Sequence, residues 1–222
     1  MIDTVYEEFI AKSRYARYLE SENRRENWEE SVDRYMQFMR NHLFEKHDYT
    51  IDPEAYTTIR AAIVNKEILP SMRSIMTAGD ALTRDNTAGY NCAYLPIDDP
   101  KAFDEAMFIL LCGTGVGFSV ERQYVTKLPE VPDRIFSSDT TVVVHDSKEG
   151  WAKSLRQLIA LLYSGEQPAW DVSKVRPAGA RLKTFGGRAS GPGPLEDLFR
   201  FVIRIFKGAV GRKLTSLECH DI

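Results

Sequence analysis

The spacing of apolar residues predicts a helical first part of the chain. Between residues 27 and 44, apolar side chains recur at alternating intervals of three and four, which places them in one stripe on a helix. Apolar positions among charges predict another helix over 4–19. Asp52-Pro53 is typical of a helix start, and the isoleucines that follow extend this helix to Leu69-Pro70. We therefore predict an N-terminal helical region over residues 1–85.

After residue 85, short β-prone runs alternate with amphipathic helices. Strands are predicted over residues 91–95, 116–120 and 140–144. Helices are predicted over residues 100–111, 150–163 and 194–210. Strands that alternate with helices favour an α/β fold with mostly parallel pairing. Residues 86–222 are therefore predicted to form a second, α/β domain.

The last residues predict a helix that has little room to form. Thr215 and Glu218 have the spacing of a capping box, yet the sequence stops at Ile222, after less than two turns. A helix this short is not stable alone in water. Two interpretations remain open: a frayed terminal turn, or a polypeptide cut within an element, whose fold needs a partner chain or a ligated continuation.

Composition narrows the class of protein. The chain has 222 residues, 43% of them hydrophobic, which is enough to bury a core and argues against disorder. Its 29 basic and 32 acidic residues give a formal charge of −3, which argues against nucleic-acid wrapping. No apolar run approaches the roughly 20 residues that cross a bilayer. Three cysteines are too few for a disulfide framework, so we expect a reducing, cytoplasmic location without membrane partners.

The residues offer few motifs that carry chemistry by themselves. The four histidines are scattered, and the spacing of histidine and cysteine predicts no metal site. Residues 113–117 read Gly-Thr-Gly-Val-Gly, but they follow a helix and precede a strand, the reverse of a dinucleotide-binding turn. These glycines indicate either a tight helix-to-strand turn or a loop that faces a ligand. The glycine-rich residues 185–193 precede a predicted helix and are either a structural loop or one that contacts phosphate.

Seven short motifs occur in one order along nearly the whole chain. They are Tyr15-Ala-Arg-Tyr with Arg25-Glu-Asn-Trp-Glu-Glu, Pro70-Ser-Met-Arg, Asn91-Cys, Gly113-Thr-Gly-Val-Gly-Phe-Ser, Glu149-Gly-Trp, Arg176-Pro-Ala-Gly and Gly186-Gly-Arg-Ala-Ser-Gly-Pro. Together they resemble the adenosylcobalamin-dependent (class II) ribonucleotide reductases, most of all their small monomeric and phage-type members. The resemblance implies a bacterial or phage protein that supplies deoxyribonucleotides for DNA replication.

The resemblance implies a fold and a catalytic residue. The family fold is a ten-stranded α/β barrel made of two halves, and this chain looks like the N-terminal helical region plus the first half-barrel. Cys92 matches the cysteine that reduces the substrate and is oxidised to a disulfide with a second cysteine. From its neighbourhood alone, a cysteine on a strand is more often a buried apolar residue, and Cys112 is interpreted in that way.

The resemblance also implies binding residues. Ser71 matches a position that contacts the substrate phosphates. Asn91 lies where the family lines the nucleotide site, as do Gly113, Thr114 and Gly115. A weaker match places Asp98 and Asp99 near the segment that binds the allosteric effector.

The chain departs from the family pattern in ways that predict partners. The cysteine that becomes a thiyl radical belongs to the family's second half, and Cys219 does not match it. Only about 28 residues separate Glu121 from Gly150, where monomeric members carry a long effector-binding insertion. We therefore expect a C-terminal half that binds most of the adenosylcobalamin, a nucleotide substrate and a thioredoxin-like reductant. The alternative is a non-catalytic nucleotide-binding fragment of the same fold.

Overall fold

The computed structural model describes residues 4–182 and 187–222. Its residues divide into two compact units, Met1–Asn91 and Cys92–Ile222. The predicted domains, 1–85 and 86–222, stay a prediction, because compactness by itself does not define a domain.

The first unit is helical, as predicted, apart from one small hairpin. Its helices are α1 Val5–Ile10, α2 Trp28–His47, α3 Pro53–Val64, α4 Met72–Thr77 and α5 Asp80–Arg84, with a π-helical turn at Ala11–Tyr15 and a 3-10 turn at Asn86–Gly89. The hairpin is formed by the antiparallel strands β1 Tyr18–Leu19 and β2 Arg24–Arg25. The predicted helix over 4–19 is therefore too long, because the chain leaves helical geometry at Ala16 to enter β1.

The caps of the longer helices follow the sequence signals closely. Asn27 accepts a hydrogen bond from the backbone N–H of Glu30 at 2.9 Å and so begins α2 with a capping box. Asp52 caps α3, with Pro53 at its first position, as predicted. The prediction that α3 continues to Leu69-Pro70 is wrong, because the helix ends at Val64 and Lys66 takes a positive φ of 62°.

Arg34 joins several segments of the first unit. Its guanidinium binds both carboxylate oxygens of Glu26, at 2.8 and 2.9 Å, and donates to the carbonyl of Tyr15 at 3.1 Å. It also donates to the carbonyls of Ile75 and Ala78, at 2.7 and 2.9 Å, and these lie at the C-terminal end of α4. The side chains of Arg34 and Glu26 are only 18% and 6% exposed. This largely buried ion pair therefore holds α4 against α2.

The second unit alternates strands and helices. In chain order its elements are β3 Cys92–Pro96, α6 Lys101–Leu111, β4 Gly115–Ser119, α7 Arg122–Val125, β5 Phe136–Val143, α8 Lys148–Tyr163, β6 Glu166–Asp171, α9 Gly193–Gly208 and α10 Ser216–Asp221. β3 pairs with β4 and β5 pairs with β6, and both pairs are parallel. The predicted α/β class and parallel pairing are confirmed.

One hydrophobic core unites these two strand–helix–strand modules. The inward faces of α8 and α9 supply its centre, where Leu158, Phe199 and Phe206 are at most 1% exposed. Among the described residues the strands form two separate pairs, so a continuous half-barrel stays a prediction. Strand β6 was not predicted, because Pro168 and the absence of alternation hide it in the sequence.

Candidate functional site

Cys92 is the first residue of β3 and is exposed. Side chains alternate along a strand, so Cys92 and Tyr94 lie on one face, whereas Ala93 and Leu95 lie on the other. Leu95 is 8% exposed and belongs to the core of the second unit. The alternation therefore places the thiol on the open face of the sheet, not in the core.

The parallel register brings Cys92 together with part of the predicted glycine loop. Cys92 pairs with Gly115, and Tyr94 pairs with Gly117. Paired residues of a parallel sheet share a face, so the two positions beside Cys92 and Tyr94 on β4 have no side chain. Substrate atoms could therefore approach the thiol along a surface made of backbone.

The turn that precedes β4 is built by one glycine. Gly113 has a φ of +83°, a conformation that glycine adopts without strain, and its N–H donates to the carbonyl of Leu110 at 2.8 Å. Thr114 is only 1% exposed, so Gly113 and Gly115 are the members of the predicted triplet that present surface. This geometry is compatible with both interpretations of the sequence, a tight turn and a loop that faces a ligand.

Cys112 ends α6 directly before this turn and has more than a packing role. It is fully buried, and the Nζ atom of Lys148 lies 3.0 Å from its Sγ atom. The same Nζ atom lies 4.8 Å from the centre of the Phe108 ring. Lys148 is the first residue of α8, so this contact ties the end of α6 to the start of α8.

Ser71 and Asn91 belong to the first unit and are both exposed. Ser71 caps α4, and its Oγ atom accepts a hydrogen bond from the backbone N–H of Ser74 at 3.4 Å. Asn91 directly precedes β3 in the chain.

The two predicted effector residues lie in the turn between β3 and α6. Asp98 accepts a hydrogen bond from the Nζ atom of Lys127 at 3.0 Å. Asp99 accepts one from the backbone N–H of Lys101 at 2.9 Å and so helps to start α6. Both carboxylates therefore have structural partners.

The glycine-rich segment over 185–193, predicted as either a structural or a phosphate-contacting loop, is described only in part, because Phe185 and Gly186 lie outside the described residues. In the described part, Arg188 donates to the carbonyl of Gly179 at 2.9 Å. Gly191 has a φ of +76°, and a Cβ atom there would lie 2.8 Å from the backbone nitrogen of Ala178. Close backbone packing therefore explains the glycine at 191.

Cys219 is 2% exposed within the core of the second unit. Burial, with a smaller contribution from the neighbouring Glu218 carboxylate, raises the pKa of its thiol to about 12. A thiol of this kind is unreactive near neutral pH. This environment differs from that of the exposed Cys92.

A cavity of about 570 Å³ lies between α6 and α8. Its charged lining residues are Asp104, Glu105, Glu149, Lys153 and Arg156. Arg156 binds the buried Asp104 carboxylate through its Nε atom at 2.9 and 3.0 Å. None of the residues predicted from the sequence lines this cavity.

Within residues 4–182 and 187–222, no three or more histidine, cysteine or acidic side chains are placed to share a metal ion. Within the same ranges, no helix combines the length and the apolar character that a bilayer crossing requires.

Tyr94 is the residue of this surface that the sequence reasoning missed. It is 64% exposed and lies two positions after Cys92 on the same face. The signal was available, because the period of two that orients Cys92 also orients Tyr94.

Comparisons with a family model and with known proteins all indicate the same family. Residues 123–206 match the model for the B12-dependent ribonucleotide reductase insertion domain. Adenosylcobalamin-dependent ribonucleoside-triphosphate reductase from Lactobacillus acidophilus is 25% identical over 290 residues, covering 95% of this chain and 37% of the relative. The Euglena gracilis enzyme of the same name is 30% identical over 169 residues, covering 72% of this chain and 23% of the relative.

A solved structure shares the fold. The crystal structure of a B-12 dependent (class II) ribonucleotide reductase superimposes with a TM-score of 0.84 at 24% identity, over 96% of this chain and 38% of that one. The chain thus spans little more than a third of the length of the L. acidophilus relative.

The comparisons also bear on the insertion expected to be missing. The insertion-domain match begins at Gln123, inside the stretch where the sequence suggested its loss. The 290-residue alignment is nevertheless longer than the 95% of this chain that it covers, so the relative carries additional residues within the aligned stretch.

Proposed function

We propose that this chain, which belongs to the adenosylcobalamin-dependent (class II) ribonucleotide reductases, is the N-terminal component of an enzyme that makes 2′-deoxyribonucleotides. The substrates are ribonucleoside triphosphates or diphosphates, and the reaction serves DNA synthesis in the cytoplasm of a bacterium or a phage-infected host. One observation carries the proposal: the exposed thiol of Cys92 lies in register with Gly115 on the open face of a parallel strand pair.

Cys92 acts as one of two reducing thiols. One thiol protonates the ribose 2′-hydroxyl, which leaves as water, and the two sulfurs then form a disulfide and deliver two electrons to the sugar. The second cysteine belongs to the rest of the enzyme, because Cys112 and Cys219 are buried. A thioredoxin-like dithiol restores both thiols by disulfide exchange, for which the exposed position of Cys92 is suited.

Other residues of the chain bind and orient the nucleotide. From the family resemblance, we assign Ser71 to the substrate phosphates, and Asn91 and the Gly113–Gly115 turn to the nucleotide site. The backbone surface of β4 allows a sugar ring to approach the thiol without a side chain in between. Asp98, which accepts a hydrogen bond from Lys127, and Asp99 contribute to an effector segment.

Adenosylcobalamin supplies the radical that starts the reaction when it is bound to the complete enzyme. We propose that a C-terminal partner polypeptide holds most of this cofactor.

The proposal is tested by co-expressing the chain with the open reading frame that follows it. Native mass spectrometry is expected to show a one-to-one complex or a single spliced product. That species, with adenosylcobalamin and a dithiol, should convert ribonucleotides to deoxyribonucleotides over many turnovers. A chain that stays alone, monodisperse and inactive would support the non-catalytic nucleotide-binding alternative instead.

Two cysteine variants then assign the role of Cys92. Cys92→Ser is expected to abolish multiple turnover, whereas Cys219→Ala, the matched control at a buried thiol, is expected to retain it. Product formation is measured by separating deoxyribonucleotides from ribonucleotides. Full turnover by Cys92→Ser would refute the role of this residue.

A further inference from the structure

The open face of the β3–β4 pair carries a second side chain of chemical interest. Tyr94 is 64% exposed and follows Cys92 by two residues on the same face. Its strand partner, Gly117, has no side chain, and neither does Gly115 beside Cys92. The thiol and the phenol ring therefore share one continuous, backbone-lined surface.

The Tyr94 ring has polar neighbours on the same face of the strand pair. Its hydroxyl lies close to the side chains of Ser119 and Tyr124. Ser119 lies on β4 two residues beyond Gly117, so the ring leans across the position that lacks a side chain. Lys127 lies 5.5 Å from the centre of the Tyr124 ring and supports this partner.

We propose that Tyr94 is the stacking platform for the base of the nucleotide whose ribose lies at Cys92. The inference rests on the function proposed above. Residues two apart on a strand are separated by about 6.6 Å, which is on the scale of the step from the sugar to the base of a nucleoside. The surface here offers a thiol, a phenol ring and glycine backbone, which suits a planar base better than a phosphate.

Stacking makes the contribution of Tyr94 independent of which base is present. Every base has a π face, so an aromatic platform adds affinity without choosing among bases. Loss of the ring is therefore expected to weaken all four ribonucleotides by a similar factor of about ten. The hydroxyl takes no part in stacking, so its removal should have a much smaller effect.

The experiment measures how nucleotides protect Cys92 from alkylation, which requires no catalysis. Iodoacetamide is added to the chain, and to its complex with the completing polypeptide where one forms. Modification of the peptide that contains Cys92 is followed by mass spectrometry at increasing concentrations of ATP, GTP, CTP or UTP. The buried Cys112 and Cys219 serve as internal references for folding.

Three variants separate the ring from its hydroxyl and from general surface effects. Tyr94→Ala should raise the half-protecting concentration about tenfold for each of the four nucleotides. Tyr94→Phe should stay within about threefold of the unmodified chain, since the ring remains. Phe136→Ala, at an equally exposed aromatic residue on β5, should change nothing.

Three other outcomes would each refute one statement of the proposal. Equal protection in Tyr94→Ala and the unmodified chain refutes the stacking platform and leaves the proposed function standing. A loss confined to one or two bases refutes the base-independent role. Absence of protection by any ribonucleotide in the unmodified chain and its complex overturns the substrate site at Cys92, and the platform with it.

Discussion

Replacement of Arg34 by methionine tests how the first unit holds the segment that carries Ser71. Arg34 binds both oxygens of Glu26 and also the carbonyls of Ile75 and Ala78 at the end of α4. Methionine keeps much of the buried volume but donates no hydrogen bond. The variant therefore leaves the Glu26 carboxylate, at 6% exposure, without its cation.

The magnitude follows from this burial. Breaking a buried ion pair by removing one partner costs about 3–5 kcal/mol, because the remaining charge stays desolvated. Arg34 is 18% exposed, so water compensates in part and the lower end applies. We expect Arg34→Met to lower the free energy of unfolding by about 3 kcal/mol. That is a large share of the stability of a small domain.

Urea unfolding followed by tryptophan fluorescence measures this loss. Trp28 is the probe of the first unit, so Trp151 and Trp170 of the second unit are first replaced by phenylalanine. Arg40→Met is the matched control, since Arg40 lies on the same helix but is exposed, and its expected change is at most about 0.5 kcal/mol. A loss below about 1 kcal/mol in Arg34→Met would refute the reasoning.

The stabilisation by the Glu26–Arg34 pair depends on pH, in a direction set by the pKa of Glu26. Burial raises the pKa of Glu26, but hydrogen bonds from Arg34, from the backbone of Arg17 and from Ser31 outweigh burial, and the pKa is lowered. The stabilisation is therefore present above the unfolded value of about 4.3 and is lost as the pH falls through the folded value. Without Arg34, burial has the larger effect on the pKa of Glu26, and protonation removes the buried charge. The difference in free energy of unfolding between the unmodified protein and Arg34→Met should consequently shrink below about pH 5.

Three further predictions concern the second unit. Gly150→Ala should lower the free energy of unfolding, measured by thermal unfolding, by about 2 kcal/mol, since a Cβ atom would lie 2.4 Å from the carbonyl oxygen of His145. Gly208→Ala is the control and should be neutral or stabilising, because a Cβ atom there would have nothing within 4 Å. Equal effects of the two substitutions would contradict this prediction. Tyr163→Phe should not lower the melting temperature, because the buried hydroxyl has no hydrogen-bond partner among the described residues. Cys219 should resist Ellman's reagent at pH 8 until the protein is unfolded in urea, since its pKa is about 12.

Helix caps were the sequence signals that predicted structure best. The Asp52-Pro53 start and the Thr215 cap both recur in the structure, because each satisfies backbone groups through neighbours in sequence. Where a helix ends was harder to predict. Lys66 adopts a left-handed conformation for which no glycine gave warning.

Contacts between distant residues were beyond the sequence pattern. The pairing of Cys92 with Gly115 depends on register, which the length of α6 and its turn decides. The contact of Lys148 with Cys112 depends on how α6 packs against α8, so Cys112 looked like simple filler. Cys92 itself was predicted through the family resemblance, and the period of two explains why its side chain faces outward.

Parallel pairing inside short modules has a consequence for the order of events during synthesis. β3, α6 and β4 are complete in the chain once Ser119 has been made, and β5, α8 and β6 once Asp171 has been made. Contacts between segments so close in sequence form early and at low entropic cost. The strand pair that carries Cys92 can therefore form early, and it gains its support from the core once α8 and α9 have been made. Substitutions that slow the formation of α6 should accordingly delay the site itself, even where they leave the final stability unchanged.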